Sequence, residues 1–245
     1  MENNQIANKI RRKVLTMLYE NQKCHLGSNM SVIEILTSLY FGVMKENDIF
    51  ISSKGHCAAA LYAILEEKGI IKDADKYFKQ HNLISHEVPG VLFSGGSLGQ
   101  GLSVACGMAL ADRSRRVFCL LGDGELQEGN VWEAVMFAAH HKLDNLVAIE
   151  DYNGLQAFGA TNKVIRIYPI VKRFEAFDWA TLEGVGHSVK IISSLLERKV
   201  ENKPMVVSLR TIKGKGVSFA EDVMEWHYWN LTKTQYEESI RQNSN

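Results

Sequence analysis

The sequence predicts an α/β domain that contains a mainly parallel sheet with helices on both faces. In the second half of the chain, apolar runs of strand length alternate with segments of helical periodicity, which is typical of βαβ units. The chain has only three prolines and no low-complexity linker. We therefore expect residues 1–245 to form a single domain.

Three helices are predicted in the first part of the chain. Residues 6–20 carry an apolar stripe at helical spacing, formed by Ile6, Ile10, Val14, Met17 and Leu18. Ser31 and Glu34 have the spacing of a capping box, which would open a second helix that runs to about Met44. Residues 56–69 form the third predicted helix, with Gly69 as its stop signal.

Strand and helix patterns alternate in the rest of the chain. The apolar runs at residues 116–123 and 145–153 predict strands that are buried on both faces, as in parallel sheets. The predicted strands span residues 116–123, 145–153, 178–185 and 204–211, and the predicted helices span residues 130–143 and 188–200. Thr234 and Glu237 suggest another capping box, so we expect a short helical tail at about residues 232–245.

Composition excludes several classes of function. The 28 basic and 28 acidic side chains balance, which gives no electrostatic reason to expect nucleic acid or an anionic membrane as a partner. No apolar run reaches the roughly 18 residues of a membrane span, and the first residues lack the apolar core of an export signal. The four cysteines are scattered without a CxxC pair, so we expect reduced thiols and a cytoplasmic protein.

Two polar side chains follow neighbouring predicted strands. Asp123 ends one strand and Asn153 ends the next, with one helix between them. Because ligands bind beyond the carboxyl ends of parallel strands, we expect the two side chains to meet at one edge of the sheet. With a backbone carbonyl, their oxygens suit Mg²⁺ or Ca²⁺, and a bound diphosphate would complete the coordination. Gly122 and Gly124 would let backbone N–H groups approach the phosphates closely.

Five segments of the chain resemble transketolases, in the order of that family. They are "CHLGSNMSVIEIL", "SSKGHCAAALYA", "PGVLFSGGSLGQGLSVACGMAL", "GDGELQEGNVWEA" followed by "DYNGLQ", and "TIKGKGVSFAEDVMEWH". The resemblance covers most of the chain and implies a thiamine-diphosphate-binding fold of the PP type. It also implies thiamine diphosphate as the cofactor and Mg²⁺ as its metal, with Ca²⁺ or Mn²⁺ as alternatives.

The resemblance implies a role for each matching residue. Asp123, Asn153 and the carbonyl of Leu155 would coordinate the metal. Gly124 and Glu125 would line the diphosphate through backbone groups, together with Gly122, and Gly96 and Leu98 would lie along the cofactor. His25, His56 and His227 would surround the reacting centre and move protons, with His56 and His227 also contacting the cofactor. Glu128 would lie near a subunit interface and take part in a proton relay between active sites.

The sequence departs from the family pattern in three places. The GHP motif that supplies a further histidine is missing, with His81 or His86 as its only nearby substitutes. After "DYNGLQ" the chain reads "AFGATNKV", so the loop at the substrate entrance differs. The chain also ends at Asn245, before the pyrimidine-binding domain that supplies the cofactor-activating glutamate in the family. We therefore expect that glutamate to come from a separate partner subunit.

The resemblance then implies the diphosphate-binding subunit of a two-chain transketolase, assembled as an α₂β₂ heterotetramer. Such an enzyme transfers a two-carbon ketol group from a ketose, often phosphorylated, to an aldehyde acceptor. Two alternatives stay open at this point. The chain could be the α-type subunit of a keto-acid-decarboxylating enzyme, or it could be a non-catalytic cofactor-binding module.

Other polar residues have simpler explanations in the sequence. His140 and His141 lie late in a predicted helix, where they suit the helix dipole. His187 is expected to support a strand-to-helix turn. Lys213 and Lys215 are expected to be solvated or to steer phosphates rather than to catalyse a reaction.

Overall fold

The computed structural model describes residues 3–244, and within them a five-stranded parallel sheet forms the centre of the fold. Its strands are β1 Ile49–Ser52, β2 Val117–Gly122, β3 Leu146–Tyr152, β6 Ala180–Val185 and β7 Met205–Arg210, and their order across the sheet is β1-β2-β3-β7-β6. The two-residue strands β4 Leu155–Gln156 and β5 Gly159–Ala160 form a separate antiparallel hairpin.

Helices cover both faces of the sheet. They are α1 Asn3–Glu20, α2 Leu26–Met30, α3 Ile33–Ser38, α4 Ala58–Glu67, α5 Ala74–Gln80, α6 Gln100–Ala111, α7 Gly129–His140, α8 Thr161–Val164, α9 Ile170–Ala176, α10 Val189–Leu196 and α11 Lys233–Gln242. None of these helices combines the length and the apolar character that crossing a membrane requires.

Successive residues of the central strands enter two different apolar cores. Phe118 and Leu120 pack with the helices α1, α3, α4 and α10, whereas Cys119 and Leu121 pack with α6, α7 and α9. This division follows from the two-residue period of a strand, which points alternate side chains to opposite faces. It explains why the β2 sequence is continuously apolar and confirms the predicted α/β class with helices on both faces.

Most predicted elements are present, but one strand of the five-stranded sheet and the two short strands β4 and β5 were not predicted. All four predicted strands correspond to β2, β3, β6 and β7 within a few residues. The missed strand of the sheet, β1, has four residues and pairs with β2 alone, from Ile49 opposite Val117 to Ser52 opposite Leu120. A run this short gives little periodic signal, so its pairing comes from tertiary context.

The capping box predicted at Ser31 and Glu34 is wrong. Helix α3 begins at Ile33, and its N-cap residue Val32 makes no side-chain cap bond. Ser31 Oγ instead donates to Asp151 Oδ2 at 2.7 Å, while Glu34 pairs with Arg11. Both side chains are drawn into buried tertiary contacts, which local capping preferences do not anticipate. The helix then continues through a π-helical turn, Leu39–Val43, close to the predicted end.

The predicted helical tail is present, but its cap lies two residues earlier than predicted. Thr232, not Thr234, is the N-cap residue of α11, and its side chain accepts a hydrogen bond from the backbone N–H of Gln235. The Gln235 side chain accepts from the Thr232 backbone N–H at 3.0 Å, which completes the box. Glu237 therefore lies inside the helix, and glutamine takes the position that we assigned to an acid.

Candidate active site

A cleft of about 350 Å³ opens beyond the carboxyl ends of β1, β2, β3 and β7. It is bordered by the loops that follow these strands, as expected for ligand sites of parallel sheets. Its lining includes all the catalytic, cofactor and metal candidates from the sequence: His25, His56, Gly96, Leu98, Gly122, Asp123, Gly124, Glu125, Asn153, Leu155 and His227. Strands that are distant in sequence thus bring these residues into one space.

Asp123 lies at the floor of the cleft and is only 3% exposed. Its carboxylate accepts hydrogen bonds from the backbone N–H groups of Gly124 at 2.7 Å and Gly154 at 2.6 Å, and from the Thr161 hydroxyl at 3.2 Å. Burial raises the pKa of Asp123 to about 6, and the nearby Asp151 carboxylate adds to the increase. A cation bound here would favour the ionised form and relieve that cost.

Asn153 and Leu155 add two neutral oxygens to the same part of the cleft. Asn153 Oδ1 accepts from the Leu155 backbone N–H at 3.1 Å, which fixes the amide side chain. The Leu155 carbonyl accepts from Lys213 Nζ at 3.2 Å. Carboxylate, amide and carbonyl oxygens form a donor set that Mg²⁺ or Ca²⁺ prefers, with space left for further oxygens from a ligand.

Glu125 holds three segments of the cleft wall together. The buried carboxylate accepts from the backbone N–H groups of Gly99 at 2.7 Å and Gly122 at 3.1 Å, and from the hydroxyl of Ser53. Burial is the main cause of its raised pKa. The sequence interpretation assigned only backbone contacts to Glu125, and the structure adds this side-chain function.

Two features of the cleft fit a bound phosphate-bearing ligand. A Cβ atom at Gly124 would lie 2.6 Å from Gln156 Oε1, so the backbone there leaves little space for a side chain. Gln156 Nε2 is buried without a hydrogen-bond partner among residues 3–244. A buried amide donor without a partner is costly, and a ligand acceptor would satisfy it.

His25, His56 and His227 form a cluster, which we call the tri-histidine cluster, on one wall of the cleft. Their ring centroids are 4.6 to 5.2 Å apart, although the residues come from three distant segments. Burial lowers the pKa to about 4 for His25 and His56 and to about 3 for His227, and nearby lysines and the other rings contribute. The rings are therefore neutral at pH 7 and able to accept a proton or a hydrogen bond.

A buried polar network beneath the cleft was missed in the sequence. The Lys54 ammonium pairs with Asp151, which also accepts hydrogen bonds from Ser31 and Thr211. Burial alone would raise the pKa of Asp151, but the Lys54 charge and these hydrogen bonds lower it below the ordinary value. The detectable signal was an acidic residue inside the apolar run of β3, because such a charge needs a buried partner.

Of the two alternatives predicted for Lys213, a solvated side chain is wrong, and phosphate steering stays a prediction. Lys213 is only 2% exposed, and its ammonium faces the cleft while donating to the Leu155 carbonyl. Burial and the Lys54 charge lower its pKa to about 8. Lys215 is partly exposed and pairs with Glu221 at 3.1 Å, in agreement with a solvated side chain.

Several other predicted residues lie outside the cleft lining. Glu128 is exposed at the N-cap position of α7. His86 is exposed and its Nδ1 lies 2.8 Å from Ser94 Oγ, while His81 faces Glu87, and neither side chain borders the cleft. His187, which follows β6, contacts both the Glu34 carboxylate and the backbone N–H of Ile212. These contacts agree with its predicted supporting role at the turn.

One protein family matches the chain over nearly its whole length. The family model for the thiamine diphosphate binding domain of transketolase matches residues 2–242. The chain belongs to the transketolase N-terminal family. Its fold is accordingly the thiamine-diphosphate-binding fold of transketolases, with the cleft in the region of the family motifs.

Relatives of this transketolase domain include both short chains, named as subunits, and long chains. A subunit of apulose-4-phosphate transketolase from Phocaeicola vulgatus is 38% identical, with 96% of this chain and 92% of the relative covered. The 6-deoxy-6-sulfo-D-fructose transketolase subunit SqwG of Clostridium sp. is 36% identical, with 96% and 93% covered. A solved transketolase from Campylobacter jejuni has a TM-score of 0.88 at 24% identity, and the match covers all of this chain but 43% of that one.

Proposed function

We propose that this chain is the diphosphate-binding subunit of a two-chain transketolase that uses thiamine diphosphate and Mg²⁺. The enzyme would transfer a two-carbon ketol group from a ketose to an aldehyde acceptor. The observation that carries the proposal is the single cleft in which Asp123, Asn153 and Leu155 face the tri-histidine cluster. Relatives of similar length that are named as subunits of transketolases support it.

The cleft residues fit the cofactor and its metal. Asp123, Asn153 and the Leu155 carbonyl would hold Mg²⁺, and the metal would neutralise the diphosphate. Lys213 now donates to the Leu155 carbonyl, so we expect its ammonium to turn towards a phosphate oxygen when the metal binds. Gln156 Nε2, which has no partner among residues 3–244, would donate to the bound ligand. When bound, thiamine diphosphate supplies a carbon nucleophile and an electron sink.

The histidines would handle protons on the substrate side of the cleft. Neutral imidazoles at pH 7 can accept a proton from a substrate hydroxyl and return it to a forming alkoxide. Lys54 and Lys213, which lower the pKa values of the cluster, would also stabilise negative charge that develops on substrate oxygens. The apolar side chains of Leu98 and Leu155 border the same space and would limit the access of water.

We propose that a pyrimidine-binding subunit completes the site and supplies the activating glutamate. Relatives of this length that are named as subunits imply a second chain, and the assembly we propose is an α₂β₂ heterotetramer. Glu128 is exposed, as a residue at a subunit interface would be in the isolated chain. We also propose a cytoplasmic location, which the four free cysteines support.

Sugar phosphates are the substrates we propose, because two relatives are named for apulose 4-phosphate. Two exposed aromatic side chains border the entrance of the cleft. Phe158 lies at the tip of the β4–β5 hairpin and is 82% exposed, and Tyr228 borders the same cleft with 54% exposure. These rings would shape the acceptor side of the site.

Calorimetry and an activity assay test the proposed function. The chain, alone and co-expressed with a candidate pyrimidine-binding subunit, is titrated with thiamine diphosphate and Mg²⁺ and assayed with ketose phosphates. We expect metal-dependent binding, ketol transfer only with the partner, and loss of both in D123N. D144N, on an exposed loop outside the cleft lining, is the matched control. Full activity of the chain alone, or unchanged metal-dependent binding in D123N, would contradict the proposal.

A further inference from the structure

The tri-histidine cluster has the donor arrangement of a metal site. One ring nitrogen from each of His25, His56 and His227 can be chosen so that all three lie within 4.8 Å of one another. His227 is only 8% exposed, and its Nδ1 has no hydrogen-bond partner among residues 3–244. A buried nitrogen without a partner is costly, so it favours a ligand that can satisfy it.

The protonation state of the cluster favours a metal over a proton. A metal binds the neutral imidazole, and burial lowers the pKa of each of the three rings to about 4 or below. No proton therefore has to leave at pH 7. Lys54 and Lys213 face the cluster and oppose a cation, so we expect weaker binding than at a structural zinc site.

The type of donor selects the metal. Three imidazole nitrogens with an open fourth position suit Zn²⁺, Co²⁺, Ni²⁺ or Cu²⁺, whereas Mg²⁺ and Ca²⁺ prefer oxygen. Metal–nitrogen bonds of about 2.0–2.1 Å place tetrahedral ligands about 3.4 Å apart. The widest pair, at up to 4.8 Å, would have to close by about 1.4 Å, a movement within the reach of side-chain rotation at the open cleft.

We propose that the tri-histidine cluster binds one Zn²⁺ ion, or a similar transition-metal ion, when no cofactor fills the cleft. This site is separate from the oxygen donors of Asp123, Asn153 and Leu155, although both border the same space. A metal on the histidines would occupy space and lone pairs that a ligand needs. Zinc would therefore compete with ligands of the cleft, whereas Mg²⁺ would leave the histidine site empty.

Cobalt titration of the purified full chain, without cofactor or partner, tests the site. Tetrahedral Co²⁺ absorbs visibly, so we expect a spectrum that saturates at one equivalent and is displaced by Zn²⁺ but not by Mg²⁺. Removing a side chain that only hydrogen-bonds to a metal ligand lowers metal affinity about 10- to 100-fold. Loss of a ligand itself in H56N or H227N should therefore lower cobalt affinity at least about tenfold. Circular dichroism confirms that each variant is folded.

Two control variants test whether any cobalt signal comes from the cluster. H141N removes a ring from the His140–His141 pair at the C-terminal end of α7, and C24S removes the thiol beside His25. Both should bind cobalt as the wild type does. Equal cobalt affinity in the wild type, H56N and H227N, or displacement by Mg²⁺, would overturn the proposal. The titration contains no thiamine diphosphate, so its result is independent of the proposed transketolase activity.

Discussion

Substitution of Gly101 by alanine tests how closely α6 approaches the strand β1. A Cβ atom at position 101 would lie 2.5 Å from Ser53 Cβ and 2.7 Å from Ser53 Cα. Carbon atoms in contact are normally about 3.5–4.0 Å apart, so the helix and the Ser53 backbone would have to separate by about 1 Å. The Gly101 backbone N–H also donates to Ser53 Oγ at 3.0 Å, and this bond would lengthen.

The expected loss of stability combines two opposing effects. Overpacking against backbone should cost about 3 kcal/mol, the upper part of the usual range. Replacing glycine by alanine inside a helix returns about 1 kcal/mol. We therefore expect G101A to lower the free energy of unfolding by about 2 kcal/mol, which corresponds to a fall in Tm of roughly 4–8 °C for a chain of this length.

Gly107 provides the matched control on the same helix. A Cβ atom there has no neighbour within 4 Å, so only the helix preference remains. G107A should gain about 1 kcal/mol. Urea unfolding followed by circular dichroism, repeated at several protein concentrations, measures the expected difference of about 3 kcal/mol between the variants. A G101A variant as stable as the wild type, or a G107A variant destabilised to the same extent, would refute the packing explanation.

Three further predictions concern buried charge, pH and capping. K54M should lower the free energy of unfolding in urea by about 3–5 kcal/mol because it leaves the buried Asp151 carboxylate without its partner charge. K54M/D151L should recover much of this loss. Equal stability of K54M and the wild type would contradict this prediction. The lowered pKa of His56 contributes stability that is present above about pH 6.5 and is lost towards pH 4. Between pH 7.5 and 5, the free energy of unfolding of the wild type should fall by about 1 kcal/mol more than that of H56N. Parallel curves of stability against pH for the two proteins would contradict this prediction. T232A should lower the free energy of unfolding by about 1 kcal/mol and speed amide exchange in α11, whereas T234A should have little effect. A larger effect of T234A than of T232A would contradict the observed cap.

The sequence contained most of the information on the fold because β2, β3 and β7 are almost wholly buried. Apolar runs marked these three strands, whereas the partly exposed edge strand β6 had a weaker pattern, and the alternation of strands with helices indicated the parallel arrangement. β1 was not predicted because a strand of four residues has almost no detectable periodicity. The two capping errors have a different cause, since Ser31 is engaged in a tertiary contact and Gln235 takes the position assigned to an acid.

The candidate site was predictable where short motifs carry the chemistry. Asp123 and Asn153 could be paired from strand ends alone, and the family resemblance indicated the histidines. The Lys54–Asp151 pair lies 97 positions apart in the chain, and only the register of β1, β2 and β3 brings its members together. The burial of Lys213 also depends on folding, because a lysine in the segment Lys213–Gly216, which alternates lysine with glycine, resembles a surface loop in sequence.

The contacts of Glu125 imply that the walls of the cleft move as one body. One carboxyl group accepts hydrogen bonds from Gly99, Gly122 and Ser53 and so restrains the three segments together. Displacement of any one segment would leave its own N–H or hydroxyl donor without this acceptor. The conformational entropy of these loops is therefore lost during folding rather than at ligand capture, which favours tight binding of a ligand in the cleft.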